Sequence, residues 1–207
     1  AQKLDAMRRA TEGNLGLSFD TISAYGPHGA MPHYSVDTAV DVSTLEPRGL
    51  YVLDSGGQYY EGTTDITRTL AMGPLTDDEK LHFALTLESM FNLSSARFLH
   101  GCRGVNLDIL AREPFWSRGL DFKHGTGHGI GYLLSVHEPP NGFRWRIVPE
   151  RNDACVLEAG MVTSDEPGVY IEGSHGVRTE NAIVCMAGEE NAYGKFLHFE
   201  TLTFVPI

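Results

Sequence analysis

From His124 to Gly131 every second residue is a glycine, in the string HGTGHGIG, and few patterns limit a backbone more. Four glycines within seven residues, each costing roughly 1 kcal/mol in a helix interior, argue strongly against a helix. The segment is expected to be extended. Period-2 alternation then sets His124 and His128 on one face and bare backbone on the other, leaving room for a ligand or a further strand. His137, nine residues after His128, can return to the same cleft. A lone histidine is usually structural; three beside bare glycines are a candidate site.

Carboxylates recur at three other places. In LDSGGQYYEGTTDITRT, Asp54 ends an apolar run, a poor position for an unpaired charge. A regular turn at Glu61-Gly62 would put Asp54 and Asp65 on the same face but four residues out of step. They converge only if the chain bulges or twists near Gly56-Gly57. The competing reading is two solvated aspartates at strand ends. In SDEPGVY, Glu166 precedes a proline and is biased toward an extended backbone. In GVRTENAIV, Arg178 and Glu180 are two apart on an expected strand, so the guanidinium can orient the carboxylate; the bland alternative is a surface ion pair worth little.

Together Asp54, Asp65, His128, Glu166 and Glu180 make four carboxylates and one imidazole. Oxygen-rich donors of this kind favour hard divalent ions such as Mn2+ over structural zinc. Four carboxylates are too many for one ion and suit a pair roughly 3.5 to 4 Å apart.

The rest of the chain frames such a site. Thr76 and Glu79 stand at capping-box spacing before Leu81, Phe83, Leu85, Leu87, Met90, Phe91 and Leu93, which predicts an amphipathic helix over Thr76–Phe98. A second helix is expected over Asn106–Arg118, with Pro114 able to kink or shorten it. Short β-rich runs are expected at Leu50–Asp54, Thr63–Leu70, Ala159–Ser164 and Gly176–Cys185. The class is therefore α+β with a curved, mainly antiparallel sheet and flanking helices.

Composition narrows the function. The net charge of −11 and absence of any basic run argue against nucleic acid, and no apolar run reaches the roughly 20 residues of a spanning helix. Three dispersed cysteines without a CxxC pair suit a reducing cytoplasm. At 207 residues one domain, 1–207, is expected. The opening AQKLDAMRRA is neither a start methionine nor a signal peptide, so a fragment lacking its N-terminal domains is expected.

Five stretches, GPHGAMPHY, LDSGGQYYEGTTDITRT, LDFKHGTGHGIGYLLSVHEPP, LEAGMVTSDEPGVY and GVRTENAIV, resemble in order and spacing the pita-bread metallopeptidases, most closely the aminopeptidase P (X-Pro aminopeptidase) branch. The resemblance covers the chain from about Leu15 to its end. It implies a pita-bread fold holding two divalent ions, usually manganese, with zinc or cobalt as alternatives. Asp54 would bind one ion, His128 and Glu166 the other, and Asp65 and Glu180 both. It further implies a bridging water that attacks the X-Pro carbonyl, with Glu166 as general base. His33 and His137 would contact substrate, His124 would be a further cleft histidine, and Arg178 would lie at the substrate site. The implied partner is a peptide with proline second, and the implied assembly is a homodimer of the full-length parent. Prolidase is the nearest rival. Methionine aminopeptidase shares the ligands but matches EGTTDITRT less well, creatinase works without metals, and a non-catalytic peptide- or protein-binding module would be expected to have lost ligands.

Overall fold

The computed structural model describes residues 1–35 and 42–207. In chain order the elements are α1 (Gln2–Arg9), β1 (Asn14–Leu17), β2 (Ile22–Tyr25), β3 (Leu50–Ser55), β4 (Gly57–Tyr59), β5 (Gly62–Thr63), β6 (Ile66–Ala71) and α2 (Asp77–Ser94). They continue with β7 (Arg97–Leu99), α3 (Gly104–Trp116), β8 (Gly127–His128), β9 (Gly142–Phe143), β10 (Val162–Asp165), β11 (Gly168–Ile171), β12 (His175–Arg178), β13 (Asn181–Asn191) and β14 (Gly194–Thr201). Every strand pairing among the described residues is antiparallel, as the α+β reading expects.

The expected sheet is divided into short ladders: β2-β3-β6, β1-β4-β5, β10-β13-β14-β7, β11-β12 and β8-β9. Two of the breaks deliver site residues. The expected strand over Gly176–Cys185 is cut between Arg178 and Asn181: β12 pairs with β11, whereas β13 pairs with β10 and β14. Glu180 sits at that change of sheet, its amide donating to the Thr67 carbonyl at 3.1 Å. The run expected over Thr63–Leu70 is likewise interrupted, with Asp65 between β5 and β6.

Helix α2 starts where the capping box sets it: the Glu79 amide donates to Thr76 Oγ1 at 3.2 Å, and the Thr76 amide to Glu79 Oε2 at 2.7 Å. It stops at Ser94, three residues before β7. Its buried stripe is His82, Leu85, Thr86, Ser89, Met90 and Leu93. Leu81 and Phe91, expected inside, are exposed. Polar side chains can occupy that stripe because they find partners: Thr86 donates to the His82 carbonyl, and His82 faces His175. In α3, Pro114 falls in the last turn; lacking an N–H it cannot donate to the Leu110 carbonyl four residues back, and the helix ends two residues later, at Trp116.

Both helices close apolar clusters. Leu93, Leu107 and Ala111 pack with Phe98, Phe143, Ile183, Cys185, Leu197 and Phe199; Leu85 and Phe115 pack with Leu50, Phe122, Val169 and Val177. The acids stand at or just beyond strand ends, Asp54 near the end of β3, Asp65 just before β6, Glu166 just after β10 and Glu180 just before β13.

Candidate metal centre

The glycine-rich string is extended at its centre, over Gly127, His128 and Gly129, where its bare face meets other strands, whereas bends fall at His124 and Thr126 and the strand expected over the whole string is not formed. Gly127 and His128 pair with Phe143 and Gly142 on one side, and Gly129 bridges Thr163 on the other. A Cβ on Gly127 would overlap the Ser164 carbonyl, so only glycine permits this approach. The same closeness fixes β10, where the His128 amide donates to Ser164 Oγ at 3.0 Å and Ser164 Oγ donates to Glu166 Oε1 at 3.0 Å. The Glu166 amide in turn donates to the Thr126 carbonyl at 2.8 Å.

Asp54 and Asp65 reach the site through a turn placed differently from the regular one. The β4–β5 hairpin pairs Tyr59 with Gly62, so the turn falls at Tyr60-Glu61, and the register continues into β3–β6, where Asp54 lies opposite Thr67. The two aspartates are thus two residues out of step on one face, rather than four. Gly56 permits the step from β3 to β4, since any Cβ there would collide with the Thr64 carbonyl.

Asp54, Asp65, His128, Glu166 and Glu180 line one cavity of about 670 Å³, together with His33, His124, His137, Tyr170 and Arg178. His128 Nε2 stands 3.4 Å from Asp65 Oδ2 and 3.1 Å from Glu166 Oε1. One donor atom each from Asp65, His128 and Glu180 falls within 4.8 Å of the others. His128 Nδ1 lies 3.0 Å from the Gly129 carbonyl; donating there leaves Nε2 to face the acids. The His137 ring lies 4.1 Å from that of His128. His33 and His137 are exposed at the cavity mouth.

The guanidinium of Arg178 does not hold Glu180. It donates to Asp54 Oδ2 at 2.8 Å, to Thr67 Oγ1 at 3.1 Å and to the Tyr170 hydroxyl at 3.0 Å. Glu180 accepts from Thr67 Oγ1 at 2.7 Å instead. The chain leaves β12 directly after Arg178, so strand alternation no longer applies two residues later. His124 is also tied at both ring nitrogens, to the Gly125 carbonyl at 2.7 Å and the Tyr170 hydroxyl at 2.8 Å.

The protonation states expose a charge conflict. Burial pushes Asp54 up to about 6, with Asp65 adding to the rise and Arg178 opposing it. Burial, reinforced by Asp65, Glu166 and Asp54, drives Glu180 well above its ordinary value. Burial works to lower His128, but its hydrogen bonds to Asp65 and Glu166 overcome this and raise it to about 10. Burial works to raise Glu166, yet His128 holds it at about 2. Without added positive charge the imidazole serves as the counter-ion of its own neighbours. Asp54 Oδ1 is buried without any partner, an orphan acceptor whose cost a cation removes. The residues present therefore fit divalent ions.

Sequence reasoning missed Thr67 and Tyr170, the hydroxyls that connect Arg178 to Glu180 and to His124. Both lie inside quoted motifs, and their place on the strand face was the available signal. It also missed the support beneath the histidine string. Arg112, fully buried, donates to Asp108 Oδ2 at 2.6 Å, Asp121 Oδ1 at 2.8 Å, and the carbonyls of Phe122 and His124 at 2.7 Å. Thr126 Oγ1 donates to Asp108 Oδ1 at 2.6 Å.

A cavity that gathers this much buried negative charge on strand ends of an antiparallel frame has the character of a metallohydrolase. The chain belongs to metallopeptidase family M24, whose model matches residues 1–187. A Tuber melanosporum protein named "Probable Xaa-Pro aminopeptidase P" is 45% identical over the whole chain, which covers 33% of that protein. A Laccaria bicolor protein of the same name is 42% identical, with 32% of it covered. The X-prolyl aminopeptidase of Caenorhabditis elegans, described as a cytosolic enzyme with a di-nuclear active site, superposes on the whole chain with a TM-score of 0.91 and 39% identity, over 33% of its own length. The prolidase of Pyrococcus furiosus superposes with 0.80 and 30%, over 55% of its length. The fold is thus the pita-bread fold of these enzymes. The chain spans about a third of the length of the curated relatives it matches.

Proposed function

We propose that this chain is the catalytic domain of a longer aminopeptidase that cleaves the bond between an N-terminal residue and a following proline. The observation that carries the reading is the meeting of Asp54, Asp65, His128, Glu166 and Glu180 around one cavity, with Asp54 Oδ1 unpartnered. Two divalent ions, Mn2+ by the oxygen-rich donor set, with Zn2+ or Co2+ as alternatives, would be held by Asp54 on one side, by His128 and Glu166 on the other, and by Asp65 and Glu180 between them. When bound, such ions lower the pKa of water toward neutrality and polarise a carbonyl.

The protein groups divide the remaining work. Glu166 accepts the proton of the attacking water and delivers it to the proline nitrogen, which leaves poorly unless protonated. Ser164 and the Thr126 carbonyl keep that carboxylate in place. His33 and His137, at the mouth, hold the peptide and donate hydrogen bonds where negative charge develops on the scissile carbonyl. Arg178 orients Asp54, and Tyr170 fixes His124 with Nε2 as acceptor, a positioning role for that histidine.

The similarity to the C. elegans enzyme favours the aminopeptidase over the prolidase reading. The test is hydrolysis of Ala-Pro-Ala and of Ala-Pro by the Mn2+-loaded protein, with Asp65→Ala as control. Cleavage of the tripeptide that disappears in the control, by at least about a hundredfold, supports the reading; cleavage of the dipeptide alone favours prolidase, and activity equal in the control rejects both. For the whole protein we infer a homodimer, which light scattering of the longer protein checks, and a cytoplasmic location, which fractionation of the cells that make it checks.

A further inference from the structure

The cavity is electrically two-sided. Asp20 lines it beside Phe19, which approaches Gly56 at the Asp54 end, whereas Lys123, Arg144 and Arg151 line it beside Gly125, Gly127 and His137. Lys123 directly precedes His124. The guanidinium of Arg144 lies against Gly125, where an added Cβ would meet it, and Arg151 is within electrostatic reach of the His137 ring. Arg144 is already paired, its Nε donating to Asp153 Oδ2 at 2.5 Å. Lys123 and Arg151 are exposed and have no ion-pair partner among the described residues. On a chain of net charge −11, two uncompensated cations at the mouth of a carboxylate-rich cavity run against the surrounding field.

We propose that Lys123 and Arg151 form a carboxylate-binding rim that favours peptides carrying negative charge just beyond the proline. This rests on the aminopeptidase reading above. The direction follows from the substrate's own charges: a free N-terminal ammonium is drawn to Asp20, the acid of the lining that is not among the proposed metal ligands, and repelled by the rim, so the C-terminal portion passes the cations. The chemistry recognised is a carboxylate, supplied either by the free C-terminus of a short peptide or by an acidic side chain in the third position.

Two matched pairs separate those sources: Ala-Pro-Ala against its C-terminal amide, and Ala-Pro-Glu amide against Ala-Pro-Gln amide, with the Mn2+-loaded protein and its K123Q/R151Q variant. The charged member of at least one pair is expected to have the higher kcat/KM, by about fivefold, the upper end of an exposed ion pair, expressed in KM and shrinking as salt is raised. In the variant the ratio falls below about two. Equal kcat/KM within both pairs for the unmodified protein overturns the rim, as does a preference that survives the double substitution. If no peptide is cleaved, the aminopeptidase reading fails while the rim is still decided by calorimetry: Pro-Glu amide binding more tightly than Pro-Gln amide, with the difference lost in K123Q/R151Q, supports it, and equal binding rejects it.

Discussion

Arg178 reaches across from β12 to place its Nη2 2.8 Å from Asp54 Oδ2, both side chains nearly removed from water. The contact leaves only Oδ1 of that carboxylate free, so the guanidinium selects which oxygen faces the cavity and opposes the rise that burial imposes on Asp54. Substituting Arg178→Gln is expected to weaken Mn2+ binding and kcat/KM by roughly 10- to 100-fold, the usual cost of losing an outer partner of a metal ligand. Calorimetric titration and initial rates measure both; unchanged metal affinity would mean that Asp54 is oriented by something else.

The Asp108–Arg112 pair predicts a stability effect. Both members are buried and their remaining atoms are bonded to Thr126, Phe122 and His124. Arg112→Met strands Asp108 in the interior and should cost about 3–5 kcal/mol, as breaking a buried pair does. The double variant Asp108→Leu/Arg112→Met should recover part of that loss. Urea denaturation of the three proteins decides it.

Gly127→Ala tests the close approach of β8 to β10. Its methyl group must displace the Ser164 backbone, and both His128 and Glu166 are bonded to Ser164 Oγ. A loss of about 1–3 kcal/mol in stability is expected from overpacking, together with weaker Mn2+ binding. Thermal melting and metal titration should move together, and a variant that binds metal normally would show that the strands can separate without disturbing the ligands.

The His82–His175 contact, 2.8 Å between Nδ1 and Nε2, predicts a pH dependence remote from the metal centre. Burial lowers both, with His82 adding to the effect on His175, while Asp78 opposes it at both rings and Glu79 at His175. The unfolded chain therefore binds protons near pH 6.5 that the folded one refuses. Stability is full above that pH and falls as pH drops through it. Urea midpoints from pH 8 to 5 should decline less steeply in His82→Gln than in the unmodified protein, and parallel curves would exclude the pair as the cause.

What could be read in advance followed from local rules. Glycine alternation marked the extended histidine segment, Thr76 and Glu79 marked the start of α2, and the spacing of Asp54, Asp65, His128, Glu166 and Glu180 marked residues that do share a cavity. What escaped was non-local. Strand periodicity assigned Arg178 to Glu180, but the chain changes sheets between them. The pairing of Tyr59 with Gly62 shifts the hairpin by a residue, which no turn motif announced. Thr86 and Ser89 look like solvent-facing positions until α3 is packed over them, with Ser89 Oγ donating to the Ala111 carbonyl.

Glu180, at the point where β12 gives way to β13, joins proposed ligands drawn from separate ladders as far back as Asp54. A donor set spread over so much of the polypeptide cannot assemble piecemeal, because each distant contact must first offset the entropy of closing its loop. Loading with metal should then titrate intact tertiary structure: cation occupancy in a purified sample would count correctly closed molecules, and a chelator would lower the melting temperature in step with the ion it withdraws.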